Sequence, residues 1–139
     1  MESLRETLYK AFKHLAQIKG ECFCEITSQC GISDLTIRQI EYLKIMDAHN
    51  EVTFSKLAEL TCSSKPTVSE LINKLIRQKC IYREKSPLDK RVSYIYLTEK
   101  GKGIARIEES TIYKVVDRIL GSLHDDEINI LIQLFKKVK

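Results

Sequence analysis

Apolar residues at Leu4, Leu8, Ala11, Leu15 and Ile18 fall alternately four and three positions apart. That is the seam of a helix that seats one face against another helix. Phe12 and Ala16 widen it to a stripe. The far end of the chain repeats the pattern twice, as Ile112, Val115, Val116, Ile119 and Leu120, and as Ile128, Leu131, Leu134, Phe135 and Val138. Asp125, Asp126 and Glu127 open the last stripe and Lys136, Lys137 and Lys139 close it, matching the polarity of a helix dipole. Gly121 predicts the break between these two helices. A lone helix of about 16 residues is marginal in water, so each stripe needs a partner. Three stripes are too few to enclose a good bundle core. Interlocking with a second copy is therefore favoured over packing within one chain.

Between these ends lies a complete unit of different character. The chain has 139 residues, 43% hydrophobic and 30% charged, enough for one domain with a real core. Only five Gly and two Pro and no Trp favour helices over a many-turned all-β fold. No run of 18 apolar residues could span a membrane, and the amphipathic MESLRETLYK start lacks a signal peptide's apolar stretch. Five cysteines, an odd number, then predict the reducing cytoplasm. Net charge is only +4, but it is concentrated: Lys65 to Arg91 carries eight basic and three acidic residues. On charge alone this cluster fits a nucleic-acid surface or an ordinary solvated face.

Leu35 to Met46 reads as a helix, with apolar residues at 37, 40, 43 and 46. Glu51 to Phe54 has room for one short strand. Thr53 can cap a helix over Phe54 to Thr61, and Cys62 and Ser63 make a tight turn. Ser64 can cap a second helix that tolerates Pro66 in its first turn and buries Val68, Leu71, Ile72 and Leu75. Two short helices joined so tightly form a helix-turn-helix signature. Two alternating runs follow, Cys80 to Lys85 and Val92 to Leu97, around the basic turn Ser86-Pro87-Leu88-Asp89-Lys90-Arg91. A β-hairpin directly after a helix-turn-helix is the winged form of the motif. Thr98-Glu99-Lys100-Gly101 leads on into a long C-terminal helix.

The second helix of the pair leaves Lys65, Thr67, Ser69, Glu70, Asn73 and Lys74 off its apolar stripe. Short hydrogen-bonding and cationic side chains of this kind suit the donors and acceptors of the major groove. Ser64, Lys65 and Thr67 lie at the end that enters it, where backbone N–H groups also suit a phosphate. In the hairpin, Lys85, Lys90 and Arg91 would ride beside the phosphate backbone, with Arg91 suited to the narrow minor groove. Asp89 is the wrong charge for DNA. Its role would be to hold Arg91 or the turn through a charge-assisted hydrogen bond.

LAELTCSSKPTVSELINKL followed by IYREKSPLDKRVSYIYLTEKG resembles the MarR family of winged-helix regulators, most strongly over residues 51–101. The wing triplet Asp89-Lys90-Arg91 before Leu97-Thr98-Glu99-Lys100-Gly101 is its most specific part. The resemblance implies a mostly α fold with a small β-hairpin wing, a winged helix-turn-helix flanked by N- and C-terminal dimerisation helices. Residues 1–139 would form one domain, with the DNA-binding part at 33–100 and the dimerisation part at 1–20 and 101–139. It implies a homodimer on a palindromic double-stranded DNA operator, acting as a repressor released by a small-molecule effector or a thiol-redox signal. Carried across, the groove-reading positions are Ser64, Lys65, Pro66, Thr67 and Ser69, and the wing positions are Asp89 and Arg91. Three positions depart from the family pattern. Lys79 stands where Gly is frequent, which predicts an altered exit from the second helix; Cys62 takes a turn position that is often Gly, and Glu70 stands where a basic residue is frequent.

Cys22, Cys24 and Cys30 crowd into KGECFCEITSQCGIS between the first two predicted helices. They can be read as a redox switch, as soft ligands of a metal lacking an obvious fourth donor, or as small apolar residues. Cys80 falls on an apolar strand position. Tyr9, Phe12, Phe23 and Tyr42 would line an effector pocket or serve as core. His14, His49 and His124 are scattered, and no Ser/His/Asp pairing, phosphate loop or CxxC pair appears, so no enzymatic activity is expected. Two other readings use the same fold: a protein-binding winged-helix scaffold, and a cysteine-based redox or metal sensor.

Overall fold

Hydrophobic patterning produces two compact units, 27–107 and a second formed by 1–26 with 108–139. A computed structural model describes residues 1–30, 35–49 and 51–139, apart from the Cys30 side chain. The expected start of the winged part at residue 33 lies outside the described residues.

In the unit 27–107, helix α2 (Ile37–Ala48) opens with a capping box, Thr36 Oγ1 accepting from the Gln39 N–H and Gln39 Oε1 accepting from the Thr36 N–H. Strand β1 (Val52–Thr53) leads into α3 (Phe54–Thr61), capped by Thr53, and α4 (Lys65–Arg77) follows, capped by Ser64. Strands β2 (Ile81–Lys85) and β3 (Ser93–Leu97) form the hairpin, and α5 (Glu99–Ala105) completes the unit. The three strands make one antiparallel sheet in the order β1-β3-β2, with Val52 opposite Ile95 and Arg83 opposite Ile95 on the other side. Leu43, Leu57, Val68, Ile72, Leu75, Cys80, Ile95 and Ile104 are fully buried and form one core. Those side chains come from α2, from both helices of the tight pair, from the sheet and the residue leading into it, and from α5. Burying them, at about 25 cal/mol per Å² of apolar area, is what orients α4 against the hairpin.

Both helices of the pair end on a left-handed residue that is not glycine, Cys62 at φ 53° and Lys79 at φ 61°. Each sits in a Schellman turn: the Ser63 N–H reaches Ala58 O at 3.1 Å, and the Cys80 N–H reaches Leu75 O at 3.0 Å. The altered exit expected from Lys79 is thus not found. Lysine adopts the geometry that glycine would, because those hydrogen bonds and the burial of Cys80 outweigh a left-handed cost of about 1 kcal/mol.

In the other unit, α1 (Leu4–Cys30) contributes its residues up to Ile26, beside α6 (Ile107–Ser122, from Glu108 onward) and α7 (Asp125–Lys137). Arg118 bonds Glu21 at 2.7 Å and Lys114 bonds Glu25 at 2.8 Å, lacing α1 to α6. The Lys114 ammonium holds the Glu25 carboxyl below its ordinary range.

Three expectations are corrected here. The segment after residue 20 is not a connection between helices, because α1 continues to Cys30 and carries the cysteines. The long C-terminal helix is broken at Arg106, whose guanidinium clasps the Asp47 carboxylate at 2.8 and 3.0 Å. Gly121 lies inside α6, and the break falls at Leu123 and His124, where the Glu127 carboxylate accepts from the His124 N–H at 3.0 Å. An exposed glycine with open space beside it costs a helix little compared with a good cap three residues later.

Candidate nucleic-acid interface

Helix α4 is amphipathic in the sense a reading helix requires. Val68, Ile72 and Leu75 are buried, while Ser64, Lys65, Pro66 and Asn73 are exposed and Thr67 and Ser69 half-buried on the opposite side. At its start the Ser64 and Thr67 hydroxyls bond each other at 2.8 Å, and the Thr67 N–H reaches Ser64 Oγ at 3.4 Å. The tight turn before it is pinned from α2: Tyr42 Oη lies 2.9 Å from Ser63 Oγ, and Arg38 Nη2 donates to the same oxygen at 3.4 Å. Burial raises the Tyr42 hydroxyl, but its hydrogen bonds with Ser63, Thr61 and Arg38 outweigh this and leave it below the ordinary phenol value. Glu70, the acidic residue on this face, pairs with Lys74 at 3.4 Å, so its charge is largely answered within the helix.

The wing is built by its own side chains. The Ser86 N–H bonds Val92 O at 2.9 Å and closes the hairpin beyond the Lys85–Ser93 pair. Buried Ser86 Oγ accepts from the Leu88 and Asp89 N–H groups at 3.3 and 3.4 Å. Asp89 then accepts from the Arg91 backbone at 3.0 Å and from Arg91 Nε at 3.2 Å. The backbone bond first, and the guanidinium second, hold the Asp89 carboxyl below its ordinary range. It therefore stays ionised throughout the pH range in which it would be asked to hold the wing. The Arg91 side chain is 92% exposed, which leaves most of its donors to solvent. Lys85 and Lys90 are exposed as well.

Arg83 is the basic residue that sequence reasoning left out. It shares strand parity with Ile81, which is buried, so it continues the helix-facing side of β2. There its Nη2 donates to Asn73 Oδ1 at 3.0 Å and its guanidinium lies 4.8 Å from the Phe54 ring centre. A cavity of about 340 Å³ opens beside it, lined by Thr53, Phe54, Ser55, Arg83, Arg91 and Ser93 among others. The signal in the sequence was the alternation Ile81, Arg83, Lys85.

The remaining candidates are dispersed. Cys22 is buried, and Cys24, two residues on in one helix, points about 200° away around its axis. The side chain of Cys30 lies outside the described residues. Among the described residues no three His, Cys, Asp or Glu side chains group to hold a metal ion. Tyr42 belongs to the winged core, whereas Phe12 lines an apolar cavity of about 310 Å³ with Leu15, Ala16, Lys19, Ile112 and Val115. Tyr9 and Phe23 are exposed.

A tight helix pair, a short strand and a hairpin whose basic turn protrudes beyond it together define a winged helix-turn-helix protein. Residues 35–93 match the MarR family model. The winged part of the chain is thus similar to the MarR family of regulators. Over 131 residues it is 28% identical to the transcriptional regulator HosA of Escherichia coli O111:H-, covering 93% of this chain and 94% of HosA. A Staphylococcus aureus MepR mutant bound to an oligodeoxyribonucleotide superposes with a TM-score of 0.62 at 25% identity, covering 98% of this chain and 96% of that one. MepR bound to ethidium bromide gives a TM-score of 0.69 at 24% identity over 97% of this chain and 96% of its own, a likeness of fold alone. None of the helices among the described residues is long and apolar enough to cross a membrane.

Proposed function

We propose that this protein is a sequence-specific, double-stranded DNA-binding transcriptional regulator, a homodimeric repressor in the cytoplasm that lets go of its operator on a chemical signal. The observation that carries the reading is the division of labour in the unit 27–107. Val68, Ile72 and Leu75 of α4 are buried, while Ser64, Lys65, Pro66 and Asn73 of the same segment and the Lys85, Lys90 and Arg91 cations of the wing are exposed. Ser64, Lys65, Pro66, Thr67, Ser69 and Asn73 would face the major groove, and Arg91, steered by Asp89, the minor groove. The oligonucleotide bound to the MepR mutant supports nucleic acid as the partner, and the name HosA carries supports regulation.

Dimerisation is supported by the second unit. Leu4, Leu8 and Phe12 of α1 and Ile130, Leu134 and Phe135 of α7 are all more than half exposed, and α7 buries no residue at all among those described. A second copy would cover them and set two reading helices about 34 Å apart, one turn of DNA. The signal would be a small apolar molecule in the cavity around Phe12 and Ile112, where Lys19 offers a cation to an acidic group. A thiol signal would have to pair Cys24 with something other than Cys22, which the helix turns away from it.

Titrating salt against a duplex carrying the operator is the deciding measurement. Neutralising several phosphates releases counterions, so the logarithm of affinity should fall steeply and linearly with the logarithm of salt. A flat response would instead indicate a protein-binding scaffold.

A further inference from the structure

Arg83 does work that groove reading by α4 and phosphate contact by the wing leave unexplained. It stands on β2, stacks over Phe54 of α3 and donates to Asn73 of α4. Three elements meet at one cation. A guanidinium has donors and no acceptor, so the Asn73 amide oxygen must turn toward it and the amide –NH2 away. An unconstrained asparagine offers a donor and an acceptor side by side, the arrangement that pairs with adenine. Asn73, exposed and off the buried stripe of α4, is left offering its donors.

The geometry points to Arg83 as a positioning residue: it fixes the Asn73 amide in one orientation, so that Asn73 meets a base as donor only and favours the acceptor edges guanine N7/O6 or thymine O4 over the paired donor and acceptor of adenine. This rests on the proposal that α4 reads a duplex. Arg83 itself does not touch the base. Its stack on Phe54 limits its rotation, and the planar fork supplies the direction that a flexible lysine ammonium lacks.

Selection from randomised duplexes by the full-length protein tests this, followed by competition between single-base variants of the selected site. The wild type should prefer guanine or thymine at one position per half-site. Asn73→Ala should lose roughly tenfold in preference there, and Arg83→Ala should lose the same preference at the same position while leaving the others intact. The double variant should lose no more than either single one. Arg83→Lys keeps the charge and guards against a folding failure: bulk affinity should persist while the preference at that position goes. The side-chain amide resonances of Asn73 should shift in Arg83→Lys, a change that a wing-supporting role alone would not produce. Additive losses, an adenine at that position, or an Arg83→Lys protein that keeps its base preference would overturn the inference and leave DNA reading standing. A wild type that enriches no sequence would overturn both.

Discussion

Single residues set the geometry at the C-terminal end of α4. Gly101 shows how little room is left: a Cβ built on it would lie 2.0 Å from the backbone oxygen of Cys80. That oxygen already accepts from the Thr98 N–H at 3.0 Å, while the Thr98 hydroxyl binds Lys79 O. Neither side of the contact is a flexible side chain that could move away. Gly101→Ala should therefore cost about 1–3 kcal/mol, read as a lower denaturant midpoint with an unchanged slope. Lys79 is the opposite case, a side chain held at φ 61° where glycine is free of strain. Lys79→Gly should raise stability by up to about 1 kcal/mol, the left-handed cost relieved less the extra chain entropy of glycine. If thermal unfolding is unmoved or lowered, the Schellman turn after α4 is not under strain. Neither residue belongs to the interface itself, so both variants should keep the base preference of the parent.

Two elements would divide the contact with a duplex, and substitutions should separate them. The wing carries Arg91 on a turn whose bonds all come from within residues 86–92, so Arg91→Ala removes a charge without loosening α4. It should weaken binding to every duplex alike and lower the salt slope by about one. Thr67 stands in the first turn of α4 and shares a hydrogen bond with the capping Ser64. Thr67→Ala should mainly narrow the gap between operator and random DNA, seen by competition binding. Equal losses on both would remove Thr67 from groove reading. The elements themselves were largely legible beforehand. Thr53 and Ser64 cap the helices they were expected to cap, because short hydroxyl side chains before an apolar stripe satisfy orphan N–H groups wherever they occur. The hairpin was legible from the alternation of its strands. What alternation alone did not reveal was the use of Arg83, since strand parity says which face a residue shares and nothing about which helix lies over that face.

For the whole molecule, the decisive quantity is the apolar surface that one chain leaves uncovered. Leu8 and Phe135 are 68% and 56% exposed, on α1 and α7. Carboxylates there would have to be desolvated in any dimer. Leu8→Glu with Phe135→Glu should convert a dimer into a monomer by sedimentation or light scattering, and operator affinity should fall by more than tenfold, because one half-site alone remains. The unit 27–107 keeps its own core and should retain its helical signal. The sequence by itself determined the local grammar: where the helices of the reading pair start, where they stop, which of their faces is apolar, and that the hairpin turn is basic. These follow from hydrogen-bond caps and from periods of 3.6 and 2, which are properties of neighbouring residues. Tertiary structure decided that α1 runs on through its cysteines, that Arg106 breaks the C-terminal helix against Asp47, and that Arg83 takes hold of Asn73. Those outcomes depend on partners ten to 59 positions away or on how far packing extends a helix, and a pattern of near neighbours carries no record of either.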